Sequence, residues 1–191
     1  LRGPAGYPHE VDNLVVPDEE TLHREEPKEV VGPGTLYLFS ATLAYAARDH
    51  RPGSVLDQLS AYVGSQDHDY FATVLCVLID VGAHQLTVAS AGHIAPLVIG
   101  PEDGQFVDIS VGVPIGVERE SPYEEVAITV AARSTLVAFT DGLVERRGES
   151  LDIGLARLRS MATARPLPLE DLVETLANDL VSDDHHDDTA I

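Results

Sequence analysis

Between Phe71 and Thr140 the chain abandons the helical period that precedes it and offers a series of short apolar runs broken by turn residues. A block of this kind must be built from strands, and placing it between two helical stretches confines the chain to a small set of layered folds. Before the block, Leu36, Phe39, Leu43 and Ala47 fall on one stripe of a helix expected over 35–48. A second helix is expected over 54–63 with Ser54 as its cap, forming a helical hairpin around Asp49–Gly53. Within the block, Phe71–Ile79 is a continuous apolar run that reads as a strand covered on both faces. Gln85–Ser90, Ala95–Ile99, Glu124–Val130 and Ser134–Thr140 read as further strands, and the short turns between them imply antiparallel pairing. After the block come helices at 151–163 and 168–181, the latter with Leu169, Leu172, Leu176 and Leu180 on one stripe, and then Thr189–Ile191, a strand cut short. Helices, then strands, then helices again is the order of a layered α+β domain, not the alternating rhythm of a doubly wound sheet.

With 191 residues, 44% of them apolar, the chain supports one sizeable core, and the expectation is a single domain over 1–191. The first 30 residues are poorly patterned, and 17–28, nearly all charge between prolines, reads as a loop. The formal net charge is −20, and half of the 32 acids are concentrated in two places, eight in 10–29 and eight in 170–188. So negative a surface repels phosphate backbones, which argues against nucleic acid and anionic membranes and in favour of metal cations or basic protein patches. Cys76 is the sole cysteine, which excludes an intramolecular disulfide and fits a reducing cytoplasm. No apolar stretch reaches the roughly 20 residues that cross a bilayer, and no basic-then-apolar signal opens the chain. The expectation is a cytoplasmic protein without membrane insertion, either alone or as one module of something larger.

The chemistry is concentrated in carboxylates. Val137–Glu145 runs an apolar strand into Asp141 and Gly142, and Asp187-Asp188 precede the apolar Thr189-Ala190-Ile191. Two carboxylates held at strand ends suit a divalent cation with hard oxygen ligands. Each also has a plainer reading: Asp-Gly after a strand is commonly a turn, and 183–188 is equally a solvated acidic tail. His93 fits a turn hydrogen bond better than a metal. Gly32-Pro33-Gly34 before a helix invites a phosphate-loop reading, but Tyr37 stands where a third glycine is required and no Gly-Lys-Thr follows. No Gly-x-Ser-x-Gly is present, and Cys76 sits inside a strand as a buried thiol, not a nucleophile.

Five short motifs occur in order: Phe71-Ala72-Thr73, Ala91-Gly92-His93 with Pro96-Leu97, Gly112-Val113-Pro114-Ile115-Gly116, Thr140-Asp141-Gly142-Leu143 and Asp187-Asp188-Thr189-Ala190. In this order and at this spacing they resemble the SpoIIE-like branch of the PPM metal-dependent protein serine/threonine phosphatases. The resemblance implies a four-layer α-β-β-α sandwich of two antiparallel sheets flanked by helical pairs, with a two-metal site for Mn²⁺ or Mg²⁺ at one end. In that chemistry the metals share a water, lower its pKa and hold the phosphoryl oxygens during in-line attack. Carried onto this chain, it assigns metal ligation to Asp141, Asp187, Glu29 and the adjoining Val30, with Asp188 as a further candidate, and turn roles to Gly92 and Gly116. It implies a phosphoprotein partner of the anti-sigma-factor antagonist type, and flanking sensor domains or a homodimer.

Two positions depart from the family pattern. Glu29 stands where the bridging aspartate belongs, and Tyr7 where a further aspartate is expected. Two functions follow: an active metal-dependent phosphatase, or a degenerate domain that keeps the fold and serves as a regulatory protein-binding module.

Overall fold

The computed structural model describes residues 51–65, 71–118, 120–180 and 189–191. Helix α1 spans Pro52–Gly64 and is followed by strands β1 (Val74–Asp80), β2 (Gln85–Ala91), β3 (Leu97–Ile99), β4 (Gly104–Phe106), β5 (Val111–Gly112), β6 (Glu125–Thr129) and β7 (Thr135–Val137). A short 3₁₀ turn over Asp141–Leu143 leads to helices α2 (Leu151–Ala162) and α3 (Leu169–Leu180). In the first sheet β2 is central, with antiparallel β1 on one side and antiparallel β6 and a short parallel β5 on the other. In the second, β3 lies between β4 and β7, both antiparallel to it.

The alternation of side chains along each strand assigns the layers. Because successive residues of a strand point to opposite faces, β2 sends Leu86 and Val88 one way and Ala89 and Ala91 the other. The first pair packs with Leu75, Val77, Val126 and Ile128 from its own sheet and with Val98 and Leu136 from the second sheet, which is the core between the sheets. The second pair packs with Leu56 and Leu59 of α1, together with Val74, Cys76, Ile115 and Tyr123. On the far side Leu97 and Val137 meet Leu158 and Ala162 of α2 and Leu172, Leu176 and Leu180 of α3. The result is helix, sheet, sheet, helix pair: the expected α+β sandwich, with each sheet face buried against a neighbouring layer.

Several local expectations need correction. Ser54 does not cap α1; the N-cap is Arg51, and Pro52 opens the helix with its φ already set for the first turn. The two-sided cover expected of 71–79 is met only in part: Val74–Val77 are half-buried, and Phe71 at the start of the run is 74% exposed. Leu78 and Ile79 are 39% and 41% exposed, because β1 is the outer strand of its sheet among the described residues. Strands β4 and β5 were not expected, and the strand read over 134–140 is regular only for Thr135–Val137. Leu172, Leu176 and Leu180 form the buried stripe of α3, whereas Leu169 is exposed at its start. The helix read at 35–48 and the loop at 17–28 lie outside the described residues.

Candidate functional site

Asp141 stands on a rigid pedestal. Phe139, Leu143 and Val144 around it are buried in the core that the second sheet shares with α2 and α3, while Asp141 itself is exposed. Its backbone carbonyl accepts from the N–H groups of Val144 (2.9 Å) and Glu145 (2.8 Å), closing the 3₁₀ turn. One side-chain oxygen, Oδ1, accepts from the Gly142 N–H at 3.0 Å, which fixes the carboxylate's direction and, among the described residues, leaves acceptor capacity unused. The loop that follows is fastened to α2. Gly154 lies so close to the Val144 carbonyl that a side chain there would collide with it, and Glu149 forms an ion pair with Arg157.

The end of the chain returns to this turn. Thr140 donates its backbone N–H to the Ala190 carbonyl (3.1 Å), and the Ala190 N–H donates to Thr140 Oγ1 (2.9 Å). The residue before Asp141 is thus paired with the second residue after the Asp187-Asp188 doublet. Thr189–Ile191 forms no regular strand, but this pairing does what the expected strand would have done at one position.

The other three motifs meet at the first sheet. Ala72 and Ile115 exchange backbone hydrogen bonds (3.0 and 2.8 Å), and Gly92 donates to the Gly112 carbonyl at 2.6 Å. Gly92 has φ +72°, and a Cβ there would lie 2.7 Å from Pro114 Cγ, so glycine is required on both backbone and steric grounds. Gly116 has φ +90°. Tyr123 braces the same loop, donating its hydroxyl to the Val113 carbonyl (2.9 Å) with its ring flat against Gly112. Tyr123 was not anticipated; the available signal was a single aromatic residue among the charged neighbours of 118–125. His93 places Nδ1 2.9 Å from the Ile94 carbonyl, and buried Ser90 donates to the His93 carbonyl at 2.6 Å.

Of the residues assigned to metal, Asp141 is described, whereas Glu29, Val30, Asp187 and Asp188 lie outside the described residues. Among the described residues no group of three or more His, Cys, Asp or Glu side chains is arranged to hold a metal ion. Burial, and secondarily the Glu125 carboxylate, pushes the Cys76 thiol above its ordinary value, so it stays protonated at neutral pH. Two open surface clefts, one beside Gly104 and Arg159 and one between α1 and 116–122, do not include Asp141. No helix among the described residues is long and apolar enough to cross a membrane.

The sandwich, with its acidic turn after β7, defines the chain as a member of the PP2C-type phosphatase fold class. It superposes on the PP2C domain, with a regulatory fragment, of Bacillus subtilis SpoIIE (TM-score 0.66, 15% identity), covering 81% of this chain and 47% of that one. It superposes equally on the RsbU and RsbW domains of a Mycobacterium tuberculosis protein (TM-score 0.68, 20% identity), covering 81% and 44%. Residues 34–191 match the family model described as Stage II sporulation protein E (SpoIIE), and the chain belongs to that family. A similar curated protein is the phosphoserine phosphatase RsbU of Bacillus subtilis (strain 168), 29% identical over 101 residues, which are 52% of this chain. The match spans 30% of RsbU, so this chain corresponds to part of its relatives' length.

Proposed function

We propose that this chain is a divalent-cation-dependent phosphatase that hydrolyses phosphoserine or phosphothreonine on a protein partner. The observation that carries the reading is the pairing of Thr140 with Ala190 beside an exposed, anchored Asp141 carboxylate. Asp187 precedes Ala190 by three residues, a span of at most about 11 Å of chain, so chain length alone permits the doublet to reach the Asp141 turn. Asp141, Asp187, Glu29 and Val30, with Asp188 as a further candidate, are the proposed ligands of one or two Mn²⁺ or Mg²⁺ ions. The donor chemistry fits, since carboxylate oxygens with free acceptor sites suit these hard cations. A similar solved structure, RsbX, is a complex with magnesium. A cation bound there supplies Lewis acidity to phosphoryl oxygens and lowers the pKa of a water. The chain's own part is positional: the Gly142 N–H aims the Asp141 carboxylate, and the buried Phe139, Leu143 and Val144 keep its backbone from yielding.

The partner is proposed to be an anti-sigma-factor antagonist in a cytoplasmic signalling pathway, as the family resemblance implies; the similar RsbU is a phosphoserine phosphatase. The 1–191 span is proposed to act as one catalytic domain, joined to sensor domains or to a second copy. Purified chain should release phosphate from a phosphoserine peptide in Mn²⁺ and stop in EDTA, and D141N should match the EDTA control. Release that persists in EDTA or in D141N would refute the proposal.

A degenerate, non-catalytic regulatory module is the second reading, favoured by Tyr7 and Glu29 at positions where the family has aspartates. A Y7D/E29D double variant that gains metal-dependent turnover over an inert parent would establish it.

A further inference from the structure

Arg146 lies five residues beyond Asp141, on the loop fastened to α2, and its guanidinium reaches the end of α3. Its Nη2 donates to the carbonyls of both Asp179 and Leu180, each at 3.4 Å, while its Nε is buried with no partner among the described residues. Helix α3 carries Glu170 and Asp171 in its first turn, matched to the positive end of the helix dipole, but no basic residue in its last turn. The orphan carbonyls at that end are served from outside the helix, by Arg146. The backbone N–H of Glu149 donates to the Arg146 carbonyl at 3.0 Å, and the Glu149–Arg157 pair holds the same turn, so the guanidinium projects from a braced loop.

Two contacts therefore join the Asp141 loop to the C-terminal part of the chain. Arg146 holds it at Leu180, where α3 ends, and Thr140 holds it at Ala190. The two anchors lie on either side of Asp141 in a single braced loop.

We infer that Arg146 is a positioning residue for cation binding: by fixing the end of α3 to the Asp141 loop, it sets the geometry in which the Asp141 carboxylate is presented to a cation. The inference rests on the phosphatase reading above. Groups bonded directly to a metal ligand typically change metal affinity about 10- to 100-fold when removed; Arg146 acts one step further out, through the loop that carries Asp141, so the low end of that range is expected.

The test is Mn²⁺ binding measured by titration calorimetry on the full chain, alongside metal-free melting curves, for wild type, R146M, R146K and D141N. R146M is expected to keep its helical circular dichroism and bind Mn²⁺ about 10-fold more weakly. R146K, which keeps the charge but loses the planar fork, is expected to fall between R146M and wild type. A structural cap alone would lower the metal-free melting temperature and leave the Mn²⁺ Kd unchanged. R146M with wild-type affinity, while D141N is deficient, overturns this inference alone. If R146M does not fold, R146K decides, and wild-type affinity in R146K overturns the inference. D141N with wild-type affinity overturns the metal reading, and this inference with it.

Discussion

Replacing Gly154 by alanine sets two effects of opposite sign against each other. Gly154 is an interior residue of α2, where intrinsic propensity favours alanine over glycine by about 1 kcal/mol. The added Cβ, however, would overlap the Val144 carbonyl oxygen and stand 2.9 Å from its carbonyl carbon and 3.1 Å from its Cβ. This obstacle is backbone, and it cannot swing aside, because the Val144 N–H is bonded to the Asp141 carbonyl and its side chain is buried. Overpacking of a tight core costs about 1–3 kcal/mol, and a collision with fixed backbone belongs at the top of that range. The net expectation is a loss of about 2 kcal/mol, which for a chain of this size lowers the melting temperature by about 4–8 °C. Scanning calorimetry with a parallel urea titration measures it. A G154A protein that melts at or above wild type would mean that propensity wins and that α2 is not pressed onto the Asp141 loop as described.

Thr140→Val removes the hydroxyl that accepts from Ala190; a loss of about 1 kcal/mol is expected, with weaker Mn²⁺ binding by calorimetry, and an unchanged Kd would separate that contact from the site. Leu176→Ala empties a fully buried position between α3 and the second sheet and should cost about 2–5 kcal/mol in chemical denaturation. Tyr123→Phe removes the hydroxyl bonded to the Val113 carbonyl and should cost about 1 kcal/mol by the same assay. Cys76 favours its neutral form in the folded state, so its contribution is intact below the ordinary thiol value of 9.0 and is lost as pH rises through the raised one. Denaturation midpoints measured across alkaline pH should therefore fall less steeply in Cys76→Ala.

The layers were legible because their signal is periodic. In β2, Leu86 and Val88 alternate with Ala89 and Ala91, and in α3 the Leu172, Leu176 and Leu180 stripe repeats every four residues. What escaped notice was short or contextual. Val111–Gly112 is two residues long and pairs in parallel with β2, a contact set by tertiary placement and not by any local pattern. Gly104–Phe106 follows directly on turn chemistry, and Gly104 has no side chain to contribute to an alternation. At α1, a serine with a good capping side chain outweighed a proline whose fixed φ decided the start. In Phe71–Ile79, apolarity gave no warning that the last residues lie at a sheet edge, since composition does not record strand order. The exposed turn that carries Asp141 was legible from Asp-Gly following an apolar run, whereas the Arg146 contact was invisible, because a side chain that serves a helix end 33 residues away leaves no local trace.

The Thr140–Ala190 contact has a consequence for how the protein folds. Its partners are 50 residues apart, and closing a flexible loop of that size costs about 3.5 kcal/mol of chain entropy. Every strand and helix among the described residues precedes Ala190 in sequence, the last of them ending at Leu180. The described layers can therefore assemble before the junction beside Asp141 forms, so that closing it is a late and separable event in folding.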